Sequence, residues 1–343
     1  MSWWRRWFPA QKPVERVPDV RKPDVPAAPV YGPGRPNALD LPAMGGRTVF
    51  DPSLQHCGEA LRETAPVFED AAAASRWWSA QAIMLEAALR AIAASPWRSH
   101  LVLRGSAAMP AWVGDAARRP GDLDWVVLPF EWRSDGPEAA RLLDGIVEVV
   151  TAIGSVDGVS MSTQVARDDI WTYERADGKR LTFSWSMPGL PPGKLQCDIV
   201  FREEFWVPPA ALDLPTSAGA PVSLLTATPE QSLAWKILWL MTDIHPQGKD
   251  LYDAVLLAER FALPEDLVER MAAEIRPLSS WRFDPRAAGF AKRVEDALMG
   301  VAWDDFAKEY PWLDPTLRSW VERFGSAAPM RSASQAPPPQ PTP

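Results

Sequence analysis

Hydrophobic and polar positions change period along this chain, and the changes mark its elements. Residues 71–95 read AAAASRWWSAQAIMLEAALRAIAAS, with Trp78, Ala82, Leu85, Leu89 and Ile92 spaced as one face of a helix. Alanine and leucine favour that state, and Pro96 ends it. SHLVLRG (99–105) then predicts a short buried strand meeting a glycine turn, SAAMPAWVG (106–114) a brief helix, and LDWVVLP (123–129) a second strand. EAARLLDGIVEVVTAI (138–153) returns to helical period. RLTFSWSM (180–187) and KLQCDIVF (194–201) read as two strands separated by the turn PGLPPG, and this mixed order ends near Pro209.

Beyond it the texture is helical. TPEQSLAWKILWLM (228–241) opens with Thr228 as N-cap, Pro229 at the first helical position and Gln231 where a capping box requires it. KDLYDAVLLAERF, PEDLVERMAAEI, PRAAGFAKRVEDALMG and WDDFAKEY continue in helical period to about Phe324, and no internal repeat of fixed period is visible. The pattern predicts an α+β fold, a mixed sheet flanked by helices and followed by a helical domain. The expected boundaries are a disordered Pro-rich tail over 1–48, a mixed α/β domain over 49–212, a helical domain over 213–326 and a disordered tail over 327–343. Ordered structure is expected to begin between residues 50 and 66.

Composition narrows the classes. At 343 residues, 47% hydrophobic and 23% charged, the chain has material for two globular domains. Residues 1–36 carry eight prolines and seven basic against three acidic side chains, without apolar periodicity. The opening MSWWRRWF pairs aromatics with arginines, which suits anionic lipid, nucleic acid or plain solvent. A net charge of −8 and a pI near 5.1 give no bulk field that draws nucleic acid, though a local basic groove stays open. Cys57 and Cys197 make no disulfide framework, and His56, His100 and His245 have no metal-ligand spacing. No apolar run reaches the roughly 20 residues of a membrane span, and no secretory segment precedes the prolines, so a cytoplasmic protein is expected. The tryptophans at 77, 78, 235, 239 and 320 fall in helical patterns and are core candidates.

The chemistry sits in RGSAAMPAWVGDAARRPGDLDWVV. On a strand Asp122 and Asp124 project from one face while Leu123, Trp125 and Val127 pack into the other. Two carboxylates on one face repel unless solvent or a cation offsets them, and hard oxygens suit Mg²⁺. In KLQCDIVF the apolar face is Leu195, Cys197, Ile199 and Phe201, leaving Asp198 opposite as a possible third ligand. Gly105 and Ser106 lie where a strand hands over to a helix, a place where backbone N–H groups hold phosphate oxygens. The competing reading makes Asp122 a turn residue and Asp124 an exposed edge charge.

The pattern Gly-Ser, then Asp-Leu-Asp-Trp, then a later strand carboxylate resembles the nucleotidyltransferase superfamily of the DNA polymerase β type. TPEQSLAWKILWLM followed by GKDLYDAVLLAE resembles, more narrowly, the helical portion of AbiEii-type nucleotidyltransferases, toxins of toxin-antitoxin and phage-defence systems. The resemblance spans roughly residues 75–260. It implies a phosphate-binding turn at Gly105 and Ser106, metal ligation by Asp122 and Asp124, and a third carboxylate at Asp198 that readies the acceptor hydroxyl. It places Lys236, Lys249, Asp250 and Asp253 at helical-domain positions, the lysines against triphosphate or acceptor. The interval from Ser106 to Asp122 is longer than is usual there, which predicts an inserted loop GDAARRPG over the site, and Gln247 stands where an arginine often precedes Lys-Asp.

Lys236 is the single charge in LAWKILWLM, where an ammonium must snorkel or meet an anion. Lys249 and Asp253, four apart, fit a helix-surface ion pair worth about 0.3 kcal/mol. The expected activity is Mg²⁺-dependent transfer of NMP from an NTP to an acceptor hydroxyl. The resemblance suggests RNA, foremost tRNA, as acceptor and an antitoxin as partner. A small-molecule or protein hydroxyl is the alternative within enzymology, and a catalytically silent nucleotide-binding module the alternative outside it.

Overall fold

A computed structural model describes residues 34–173, 176–217, 219–278, 296–310 and 312–327. The expected helix over 285–300, the MSWWRRWF motif and the tail beyond 327 fall wholly or largely outside them. The chain divides into two compact units that part between Ala227 and Thr228.

The first unit is built on an eight-stranded mixed sheet. Its elements, after the small antiparallel pair β1 (Thr48–Phe50) and β2 (Leu61–Glu63), are helix α1 (Ala71–Ala94), β3 (Leu101–Arg104), the short helix α2 (Met109–Val113), β4 (Asp122–Val127) and helix α3 (Pro137–Thr151). β5 (Ser155–Val156), β6 (Val159–Thr172), β7 (Ala176–Ser186), β8 (Gly193–Val200), β9 (Ala210–Leu214) and β10 (Val222–Thr226) follow. The strand order is β5-β6-β7-β8-β4-β3-β10-β9. β4 runs parallel to β8 and antiparallel to β3, so the centre of the sheet joins the two strands that carry the aspartates. Between the expected boundary at 212 and the end of β10 at Thr226, the chain still belongs to this sheet.

One face of the sheet is the core. Leu123, Trp125 and Val127 of β4 meet Leu195, Cys197, Ile199 and Phe201 of β8 and its end, together with Met84, Ala88 and Ile92 of α1 and Leu142 and Ile146 of α3. Alternation puts the even-numbered neighbours on the opposite face. α1 begins where expected because the Asp70 carboxylate accepts from the Ala72 and Ala73 backbone N–H groups. The buried Trp185 indole donates to Gln81 Oε1 of α1 (2.8 Å), and Gln81 Nε2 donates to the Lys194 carbonyl, so the polar atoms of that helix face are paired.

The expected onset of order is corrected. The pattern predicts a disordered tail through residue 48, yet a 3₁₀ turn at Asn37–Asp40 docks on β6. The Asn37 and Ala38 backbone N–H groups donate to the two oxygens of Asp168 (2.6 and 3.2 Å), and Lys194 Nζ donates to the Ala38 carbonyl. Backbone donors of Asn37 and Ala38, with the Asn37 side-chain amide on the Arg167 carbonyl (2.7 Å), tie this segment down.

The second unit holds α4 (Pro229–Thr242), α5 (Gly248–Ala258), α6 (Glu265–Leu278), α7 (Trp303–Glu309) and α8 (Leu317–Ala327). Thr228 caps α4 by accepting from the Gln231 N–H, with Pro229 at the first position as the sequence predicts. Trp235, Trp239 and Trp320 are buried here, as Trp77 is in the first unit, while Trp78 is only partly covered.

Candidate active site

The site is a register row across the sheet. Arg104 of β3 lies opposite Asp124 of β4, Asp124 opposite Asp198 of β8, Asp198 opposite Arg180 of β7, and Arg180 opposite Asp168 of β6. Register partners share a face. Asp124 and Asp198 are therefore lateral neighbours on the polar side, and Asp122, two residues before Asp124, stands in the adjacent row opposite Gln196. Their joint presence is felt through the sheet at Cys197, whose thiol pKa is pushed up by burial and then by Asp198, Asp122 and Asp124.

The Gly-Ser turn abuts this pair. Gly105 has φ +75°, a conformation costly for any residue with a side chain, and a Cβ there would overlap Asp124 Oδ2. Ser106 is fully buried and its hydroxyl donates to Asp122 Oδ1 at 3.3 Å. A glycine and a serine at these positions let the turn close on both aspartates, one by omission of a side chain and one by a hydrogen bond. The segment after it takes a 3₁₀ turn at Gly114–Ala116 and places the Arg119 guanidinium 5.3 Å over the Trp78 ring of α1.

Two buried arginines flank the carboxylates, and neither was singled out from sequence. Arg104 donates to Glu203 Oε2 (3.1 Å); burial opposes its charge, but Glu203 and Asp124 raise its pKa above the ordinary value. Arg180 is 4% exposed and forks onto Asp198, Nε to Oδ1 at 2.7 Å and Nη2 to Oδ2 at 2.8 Å. Its Nη1 donates to Asp51 Oδ2 (2.7 Å) and its Nη2 also to Ser53 Oγ (2.8 Å). Burial works against the Arg180 charge too, yet Asp198 and Asp51 lift its pKa well above normal. The legible signal was alternation: with Leu181, Phe183 and Trp185 on the core face, Arg180 had to stand on the other.

The donor set fits a divalent cation in part. Asp122 and Asp124 are half-buried hard-oxygen donors on one face beside a phosphate-type turn. Asp198, 5% exposed, has both oxygens facing Arg180, and Gln196 Nε2 donates to its Oδ2 as well (3.2 Å). Among the described residues no three His, Cys, Asp or Glu side chains form a ready metal cage.

The helical unit carries its own charge cluster. Lys236, 3% exposed on α4, meets Asp250 Oδ1 at 3.1 Å and Asp253 Oδ2 at 2.9 Å. Its Nζ also lies 5.7 Å from the Trp239 ring. The ammonium meets anions rather than snorkelling, and those anions are the two aspartates the sequence singled out beside it. Asp253 is wholly buried, so the surface ion pair read for it with Lys249 is corrected. Lys249 itself is half-buried in the first turn of α5.

Comparison with known proteins supplies the class first: residues 87–327 match the family model described as nucleotidyl transferase AbiEii toxin, type IV TA system, and the chain is a nucleotidyltransferase. That span is well over half the chain, and the protein belongs to the AbiEii toxin family. The family carries with it a nucleotide substrate and an antitoxin partner. No curated protein matches. Among solved structures, that of the antibiotic-resistance factor ANT(2'')-Ia is similar at 17% identity and TM-score 0.31, covering 58% of this chain and 92% of its own. Among the described residues no helix is long and apolar enough to cross a membrane.

Proposed function

We propose that the protein transfers NMP from an NTP to an acceptor hydroxyl, with RNA, foremost tRNA ends, as the acceptor class and Mg²⁺ as the cation. The pairing of Asp124 with Asp198 on adjacent parallel strands, with Gly105 against Asp124, carries this reading. In the reaction the hydroxyl oxygen attacks the α-phosphorus and gives up its proton to the Asp198 carboxylate and from there to solvent, the bond from that phosphorus to the bridging oxygen breaks, and pyrophosphate leaves with the electron pair. Such transfers ask the protein for placement and charge neutralisation rather than a nucleophile.

The Gly105-Ser106 turn receives the phosphate oxygens on its backbone N–H groups. Asp122 and Asp124 would hold Mg²⁺, which when bound neutralises charge on the α-phosphate and leaving group. Asp198 orients the acceptor hydroxyl and receives its hydrogen bond, and the Arg180 fork fixes where that carboxylate lies. In the helical unit, Asp250 and Asp253 hold the Lys236 ammonium in place, and Lys249 contacts phosphate or acceptor. Action within the cytoplasm belongs to the same reading.

The test is direct. Purified protein is incubated with labelled NTPs, Mg²⁺ and total tRNA beside Asp122→Ala and Asp124→Ala variants. Label moved to RNA by wild type and by neither variant is the expected result. Label appearing on a small molecule or protein instead replaces the acceptor, and tight nucleotide binding without transfer to any acceptor turns the reading into a silent binding module. Growth arrest on expression, relieved by the same substitutions, is the expected cellular counterpart.

A further inference from the structure

The third carboxylate is held from outside the family span. Residues 87–327 supply Asp198 and Arg180, but four N–H groups of Arg180 are used in all, and two of those bonds go to Asp51 and Ser53. These two residues are themselves fixed. Asp51 Oδ1 accepts from Ser53 N–H (3.1 Å) and from Ser53 Oγ (2.7 Å), capping the 3₁₀ turn Pro52–Leu54. Pro52 sets the backbone at its first position, and Leu54, 1% exposed, anchors it. Burial pushes the Asp51 carboxyl up, yet the Arg180 guanidinium and the Ser53 hydroxyl hold it far below the usual range.

We propose that Asp51 and Ser53 are positioning residues: acting through Arg180, they set the placement of the Asp198 carboxylate and thereby of the acceptor hydroxyl. The proposal rests on the role given to Asp198 above. A guanidinium bonded to one carboxylate alone moves with it as a hinged pair about the long arginine side chain. Bonds to Asp51 and Ser53 on the far edge pin the plane of the fork. The Gly105-Ser106 turn and Asp122 make none of these bonds, so nucleotide binding is left alone while the chemical step depends on the clamp. Misplacement by about 1 Å at a reacting group costs about 100-fold in rate.

Asp51→Asn, Asp51→Ala, Ser53→Ala and Arg180→Lys variants of the full chain are assayed for NMP transfer, with nucleotide affinity and thermal midpoint measured alongside. For the two Asp51 variants and Ser53→Ala we expect kcat to fall by about 10- to 100-fold with the nucleotide Kd within about twofold of wild type. Asn, which keeps an acceptor for Arg180 without the charge, should fall less than Ala. Lysine cannot fork and should not restore activity at position 180. Wild-type kcat in folded Asp51→Ala or Ser53→Ala overturns the proposal, as does a loss that appears in nucleotide Kd as much as in kcat. Should Asp51→Ala fail to fold, Ser53→Ala decides by the same measure. The underlying reading is checked separately by Asp122→Ala and Asp198→Asn: if these transfer like wild type, it fails whatever the clamp variants do.

Discussion

At Gly105 a single missing Cβ lets the turn lie against Asp124. Gly105→Ala meets both the left-handed backbone penalty, about 1–2 kcal/mol, and overlap with Oδ2 of that aspartate. We expect a stability loss of at least that size in denaturant titrations and an activity loss greater than the stability loss explains, because relief comes by moving the carboxylate. Asp51 gives a pH prediction. Its folded pKa lies below the unfolded value of about 3.9, so its stabilisation is complete above that pH and is lost as pH falls through the folded value. The denaturation midpoint of wild type should fall more steeply below about pH 4 than that of Asp51→Asn, and parallel curves would show that the pairing with Arg180 adds nothing. Asp122, Asp124 and Asp198 were legible because a two-residue alternation announces which side chains share a face. Asp51 and Ser53 were not, since DPS reads only as a local turn and its partner lies 127 or more residues away.

Between elements, the pairing of α4 with α5 through Lys236 is a buried ion cluster, and such clusters respond asymmetrically to substitution. Lys236→Met leaves the two buried carboxylates of Asp250 and Asp253 without their shared cation and should cost about 3–5 kcal/mol, whereas Lys236→Met combined with Asp250→Asn and Asp253→Leu should cost less. Chemical denaturation of the two proteins checks the order; a milder effect for Lys236→Met alone would mean water reaches the carboxylates. Helices α1, α3, α4 and α5 were legible from period, with the Thr228 cap adding to it at α4. β6 was not, because a register shift between Met161 and Val165 breaks the two-residue period midway. β9 and β10 are five residues each and lie among prolines and alanines, too short for alternation to stand out.

For the whole molecule, the family span and the folded span differ. A chain trimmed to residues 87–327 loses most of α1, including Trp77 and Met84 of the core, together with β1, β2 and the clamp. We expect it to give no cooperative melt by calorimetry, while a chain starting at residue 34 keeps every described contact of the first unit; a well-folded, active 87–327 fragment would contradict this. The α+β order followed by helices was readable from period alone. The docking of residues 37–48 was not, since the peptide N–H donors of Asn37 and Ala38 leave no mark in the alphabet of side chains and the Asn37 amide meets a backbone carbonyl 130 residues away. Along the line Arg104, Asp124, Asp198, Arg180, Asp168, two adjacent carboxylates are flanked by an arginine on either side, so a lone charge reversal at either arginine strands carboxylates without a counter-ion. Lasting change there has to arrive in matched pairs, and lineages should carry such exchanges together with position 51 or 203 rather than singly.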